Sequence, residues 1–287
     1  MKADCRIRLL TQHDLEDAHR LSQAAGWNQT PQDWRRAILY QPDGCFAAMC
    51  NDRLVGTVTT TSYGTALAWI GMMLVDDEYR RQGIGRALMR RAIDCLQDTG
   101  VVSIRLDATP AGRPLYEQLG FVAEWTFHRW QGIGPAAIAN AGQSDSSSDD
   151  EDTADRPTEN LFAVPEFDLE AFGCDRSAWL AATAKDALHL VQQDDGFGML
   201  RAGERADYLG PVAAVSDVVG TSIVTSLLNR SQRPVFWDIP AVNEHGLMLA
   251  TALGFQPARE LTRMRLGPDT VRPDYARQFA ICDPGMG

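Results

Sequence analysis

From Cys5 to Trp130 the chain alternates between two hydrophobic periods. The apolar-rich runs "CRIRLL", "CFAAMC", "RLVGTVTTTSY", "ALAWIGMMLV", "VVSIRLDA" and "FVAEWTFHRW" have strand length and are bounded by polar or glycine-bearing turns. Asn51 and Asp52 make the turn between the second and third of them. Helical signals lie between the strands. Thr11 and Asp14 form a capping-box-like start for a helix reaching about Ala25, and Thr30 caps a second whose first position is Pro31. Past two closely spaced glycines, Ile84, Ala87, Leu88, Ala92 and Cys95 make one apolar stripe, with Arg86, Arg90 and Asp94 off it. "GRPLYEQLG" predicts a short helix ending at Gly120. The predicted order is β-α-α-β-β-β-α-β-α-β, an α/β chain of the α+β kind.

Part of this order recurs. "IRLDATPAGRPLYEQLGFVAEWTFHRW" runs parallel to "VFWDIPAVNEHGLMLATALGFQPARELTRM", matching Asp107 to Asp238 and Gly120-Phe121 to Gly254-Phe255. Upstream, "WIGMMLV" resembles "YLGPVAA", and "QGIGRALMRRAI" aligns with "VGTSIVTSLLNR" across a small gap. A strand-helix-strand-helix-strand core is therefore expected twice, by duplication. Between the copies, Ser144 to Glu159 holds seven acids against the single base Arg156, and alanine is its only apolar residue. Such a segment cannot bury enough surface to offset its ordering entropy, so residues 141–160 are expected to form a disordered linker between domains at 1–140 and 161–287.

Composition removes several function classes. A net charge of −11 over 287 residues argues against nucleic acid as a partner, because phosphate backbones call for a broad basic surface. No segment has the apolar run of a membrane helix, and the N-terminal stretch does not read as a secretory signal, so no membrane is expected and the location is expected to be cytoplasmic. The six cysteines and five histidines show no metal-ligand spacing, so no metal site is expected, and the thiols are expected to be free.

Against this acidic background "YRRQGIGRALMRRAI" stands out. A strand that runs into "RRQGIGRA" and then a helix collects unpaired backbone N–H groups at one point, where the helix dipole also favours an anion. Gly83 and Gly85 let the backbone come close to a ligand, and Arg80, Arg81 and Arg86 add charge, which together suit a diphosphate. A Walker loop would need a GK[ST] ending, and the dinucleotide fingerprint would need glycine where Leu88 stands.

With its flanks, "MLVDDEYRRQGIGRA", and with the later "LYEQLGF", the segment resembles the GCN5-related N-acetyltransferase (GNAT) family, whose signature Q/R-x-x-G-x-G/A falls on Arg80 to Gly85. The resemblance spans about Ile7 to Trp130. It implies two GNAT-like domains, each a mixed, mostly antiparallel sheet flanked by helices. It also implies acetyl-CoA as cofactor and a small-molecule or peptide amine as substrate. The diphosphate would lie on Arg80, Arg81, Gln82, Gly83, Ile84, Gly85, Arg86 and Ala87, and the pantetheine arm along Met73, Leu74 and Val75. Tyr116, in a YxxxGF context, is the expected general acid. Trp27, Asn28 and Trp34, around the loop between the first two helices, and Asp107 and Asp238 are the expected acceptor contacts, although core packing and turn formation suit these residue types as well. No general base stands out. In the second copy the loop reads "SDVVGTSIV", where Ser222 replaces the second glycine and Asp217 and Val218 replace the arginines, while Ala250 takes the place of Tyr116. That copy is expected not to bind CoA productively. Two functions compete: transfer of acetyl to a primary amine by direct attack in a ternary complex, or a non-catalytic acyl-CoA-binding sensor or scaffold. The intact loop and Tyr116 favour the enzyme.

Overall fold

The structure, a computed structural model, describes residues 5–134 and 164–287; the expected linker lies outside them. The first half contains strands β1 (Cys5–Leu9), β2 (Phe46–Cys50), β3 (Arg53–Tyr63), β4 (Leu67–Val75), β5 (Ser103–Ala108) and β6 (Val122–Ile133). Its helices are α1 (Leu15–Ala24), α2 (Pro31–Tyr40), α3 (Ile84–Asp98) and α4 (Arg113–Gln118). The second half runs α5 (Phe167–Phe172), α6 (Ser177–Ala184), β7 (Ala187–Gln193), β8 (Gly196–Arg201), β9 (Asp207–Ala214), α7 (Asp217–Leu228), β10 (Pro234–Ile239), α8 (Glu244–Ala252), β11 (Gln256–Leu266) and β12 (Gln278–Ala280). The repeat is thus present as β4-α3-β5-α4-β6 and β9-α7-β10-α8-β11.

Local chemistry places these elements as the sequence implies. Thr11 with Asp14 and Thr30 with Asp33 both form reciprocal capping boxes. Asn51 and Asp52 take φ of 50° and 61°, the left-handed pair that a tight hairpin turn requires. Helices α1 and α2 bury Leu21, Trp34 and Ile38 on one face of the sheet, while α3 buries Ile84, Leu88, Ala92 and Leu96 on the other. Ala87, expected on that stripe, is exposed. The cysteine expectation fails at one place. Cys5 and Cys50 are directly opposed in the β1–β2 register and are joined by a disulfide; Cys45, Cys95, Cys174 and Cys282 are free.

The halves share a single sheet in the order β1-β2-β3-β4-β5-β11-β6-β10-β9-β8-β7, with β12 added beside β9. The last strand of each repeat pairs only with strands of the other half: β11 lies between β5 and β6, and β6 between β11 and β10. Each exchanged strand carries an arginine opposite an aspartate of its host. Arg263 of β11 faces Asp107 of β5 and donates to both its oxygens at 2.9 Å, and Arg129 of β6 faces Asp238 of β10 at 3.0 and 2.6 Å. Both aspartates are shut off from solvent. Trp69 and Trp125 rings stack 4.5 and 4.6 Å from the Arg263 guanidinium, which an apolar surrounding would otherwise strip of water uncompensated.

A buried carboxylate that loses its counter-charge is strongly destabilising, so Arg263→Ala should lower unfolding free energy by about 3–5 kcal/mol. Because the strands are exchanged, both halves should melt in one transition. Urea unfolding followed by fluorescence checks both points; two separate transitions would contradict the shared sheet.

Candidate functional site

The site begins with an irregularity in β4. The β3–β4 register pairs Thr57 with Leu74 and then Thr59 with Gly71, so Met72 and Met73 bulge. Met72 takes a φ of 45°, unfavourable for a side-chain-bearing residue, and the Thr57 hydroxyl donates to its carbonyl at 2.9 Å. Beyond the parallel pairs of Leu67, Ala68 and Trp69 with Ser103, Ile104 and Arg105, β4 and β5 part company. A cleft of about 1220 Å³ opens in the resulting splay.

At one end of the cleft α3 presents its N-terminus. Its cap is Gly83 at φ 87°, no side chain caps it, and the first-turn N–H groups lack helical acceptors, Ala87 N–H to Gly83 O being the first such bond. A Cβ on Gly83 would meet nothing within 4 Å, whereas one on Gly85 would come within 2.9 Å of Met73 Cε. The backbone is therefore open to a ligand at the first glycine and closely packed behind the second. Met73, Leu74, Val75, Arg80, Arg81, Gly83, Gly85 and Arg86 line the cleft. Gln82, Ile84 and Ala87 do not: Gln82 turns back to the Glu78 carbonyl and the Ile84 side chain is in the core, so these two offer main-chain amides rather than side chains, while the Ala87 amide, expected at the diphosphate, is spent on Gly83 O.

Tyr116 of α4 also lines the cleft. Burial pushes its phenol up to about 12. The group therefore holds its proton throughout the neutral and mildly alkaline range, as a proton donor must.

The far end separates the expected acceptor residues. Trp27 and Asn28 line it. Asn28 is buried, and its carboxamide clamps the β8–β9 loop through Arg205 N, Ala206 N and Ala206 O. Trp34 does not reach the cleft: it is fully buried beneath the α1–α2 loop and donates to Ser22 Oγ at 3.2 Å. Asp107 borders the cleft with both oxygens taken by Arg263, and Asp238 is held behind the wall by Arg129 and by the Tyr208 hydroxyl at 2.7 Å. Both serve as struts between halves, so neither has a free oxygen for an amine. The rest of this wall comes from the second half and the C-terminal tail: Arg205, Phe236, Arg259, Leu261, Pro284 and Gly285, beside Arg129 and Gln131 of β6. Most of these residues had no signal in the sequence. Arg129 did, because it falls on Arg263 in the repeat.

The corresponding region of the second half is filled by the chain itself. β9 and β10 also pair for only three residues, but β12 then runs along β9, and Trp237 donates to Phe279 O. The Phe279 ring lies where a Cβ on Gly220 would come within 2.3 Å. Ser216 caps α7 by accepting from Val219 N. Gly71 and Gly210, equivalent in the repeat, each admit a tail carbonyl, that of Gly285 and that of Ile281.

A splayed β4–β5 pair facing an uncapped, glycine-led helix defines an acyltransferase of the GNAT class. Two family models match the chain, "Acetyltransferase (GNAT) family" over residues 9–121 and "Acetyltransferase (GNAT) domain" over 164–280. The chain belongs to the GNAT acetyltransferase family, in a tandem arrangement. It is 27% identical over 243 residues to the uncharacterized N-acetyltransferase YitH of Bacillus subtilis, covering 82% of each chain. It is 32% identical over 104 residues to N-alpha-acetyltransferase 30 of Schizosaccharomyces pombe, covering 34% of this chain and 69% of that one. A Pyrococcus horikoshii protein assigned as an acetyltransferase has a solved structure that superposes with a TM-score of 0.81 at 27% identity, over 99% of this chain and 96% of its own. Among the described residues no cluster of metal-ligating side chains occurs, and no helix is long and apolar enough to cross a membrane.

If Tyr116 titrates near 12, the tyrosinate absorbance of the wild type and of Tyr116→Phe should coincide between pH 9 and 11 and diverge only above. A difference of one phenolate near pH 10 would show that burial does not hold the proton.

Proposed function

We propose that the first half transfers an acetyl group from acetyl-CoA to a primary amine by direct attack in a ternary complex. The observation that carries this reading is the uncapped N-terminus of α3, opening onto the gap between β4 and β5. The free amides from Gln82 to Arg86 would grip the diphosphate, with Arg80, Arg81 and Arg86 neutralising it and Met73 to Val75 flanking the pantetheine arm. Bound there, acetyl-CoA supplies a thioester whose carbonyl carbon the amine attacks and whose C–S bond then breaks. A β4 main-chain N–H beside the bulge would polarise that carbonyl, and Tyr116 O–H would protonate the departing thiolate. The lining carboxylates Asp77 and Asp107 are paired with Arg80 and Arg263, so the amine proton would leave through water.

In this reading the second half is a structural partner without its own CoA site. Phe279 over Gly220, Ser216 capping α7, and the acidic Asp217 in the first turn all oppose a diphosphate there. Its contribution is the far wall of the first half's cleft.

Tyr116→Phe should lower kcat about 100-fold with little change in KM for acetyl-CoA, measured by thiol release. An unchanged kcat would remove Tyr116 from the chemistry. Gly83→Val, strained at φ 87°, and Gly85→Leu, blocked by Met73, should each weaken CoA binding about tenfold in calorimetry. Unaltered affinity in both would displace the diphosphate from this loop.

A further inference from the structure

The loop end and the acceptor end of the cleft are set apart by β4. Val75 accepts from Arg80 Nε at the first end, and Gly71 abuts Gly285 at the other, at most about 13 Å away by the rise of an extended strand, which the Met72 bulge shortens. Arginines gather at this second end as well. Arg259 stands opposite Arg129 in the β11–β6 register, and the Arg129 guanidinium lies 5.0 Å from the Phe236 ring. Phe236 packs in turn with Ala206, next to Arg205, which is tied by its own guanidinium to the Gly26 carbonyl. These groups form one continuous wall.

The charges there do not cancel. Arg129 is matched by Asp238, and Asp107 by Arg263. Asp283, also buried, accepts from Gly285 N–H and from Gln29 and faces Arg201 and Arg129. Glu204, beside Arg205, is engaged by His19 and Gln23. Among the described residues Arg205 and Arg259 have no carboxylate within ion-pair distance, and the Arg259 side chain makes no hydrogen bond; burial and the neighbouring Arg129 disfavour its charge more than the nearby Asp238 favours it. A half-buried guanidinium left unmatched beside another is costly unless an anion completes it.

We propose that the acceptor is an amine carrying a carboxylate, whose anion is held by Arg259 and Arg205 while its nitrogen points toward the gap between β4 and β5. The chemistry is shared by a free amino acid and by a peptide with an acidic side chain near its N-terminus. The proposal deepens the acetyltransferase reading and rests on it for the amine, but the anion site has its own readout.

The test uses the full chain. Thiol release from acetyl-CoA is measured with matched acceptors: L-alanine against L-alaninamide, L-glutamate against L-glutamine, and an acidic N-terminal tripeptide against its amide-side-chain counterpart. The acid of a pair should exceed its partner in kcat/KM by about tenfold. Preference confined to the amino acids or to the tripeptide identifies the source. Arg259→Gln should raise KM for the acid about tenfold and leave KM for the neutral partner and the affinity for CoA as they were. Neutral partners used equally well, or an acid preference that survives Arg259→Gln, would overturn the proposal.

Binding is read separately by titrating N-acetylglycine and N-acetylglycinamide into the protein with and without CoA. Selective binding of the anion, lost in Arg259→Gln, supports the site even without turnover. CoA binding with no anion selectivity overturns the site and spares the acetyltransferase reading. Anion binding without CoA binding does the reverse.

Discussion

The exchange of β6 and β11, fixed by two Asp–Arg pairs, is the constraint from which the rest of the molecule follows. Antiparallel pairing alone leaves register weakly specified wherever polar and apolar positions alternate similarly on both strands. An arginine that must meet a fully buried aspartate specifies it, because a one-residue slip would strand two charges away from water. Arg129–Asp238 and Arg263–Asp107 impose that condition once on each side of the β6–β11 seam. The same pairs also decide what the acceptor end is made of, since β11 brings Arg259 and Leu261 to the first half's cleft and β6 brings Arg129 and Gln131.

Duplication produced two gaps of one design, and the chain keeps only one open. The two differ through small causes. At α3 the cap is a glycine whose φ of 87° leaves the first-turn amides facing outward; at α7 it is a serine that consumes one of them. In the second gap β12 supplies extended backbone along β9, a protein counterpart to a long ligand arm, and Phe279 seals Gly220. The tail then crosses to the first half, where Tyr63 donates to Met286 O at 2.6 Å and Trp69 to Pro284 O at 3.1 Å. Filling one gap thereby anchors a wall of the other.

Much of the architecture was legible because it is local. Capping boxes at Thr11 and Thr30, the Asn51-Asp52 turn and the stripe from Ile84 to Cys95 each rest on neighbours within a few residues, and the glycine pair marks a helix start without a side-chain cap. The acceptor end was less legible because it is assembled from distant segments. Trp34 has the composition of a pocket wall, yet an indole at helical spacing with Ile38 and in one core cluster with Leu21 of α1 gains more by burial. Asp107 and Asp238, the expected acceptor contacts, match one another in the repeat, but Arg129 and Arg263 match there too. A carboxylate and a guanidinium duplicated together point to an internal pair. Cys5 and Cys50 belong to the same class: only the β1–β2 register brings them face to face.

The gathering of basic residues in an acidic chain resolves into the polarity of a single cleft. Arg80, Arg81 and Arg86 stand at one end and Arg205 and Arg259 at the other, while the lining carboxylates are paired, Asp77 with Arg80 and Asp107 with Arg263. The net charge of −11 over the whole chain repels anions at long range, while a recess with low-dielectric walls concentrates the opposite field inside. Such an arrangement discourages anions from settling over the general surface and favours them in the recess. It suits a site whose two ligands each bring negative charge to opposite ends, leaving the middle, where Tyr116 and the Met72 bulge sit, free of fixed charge for the exchange of an acyl group.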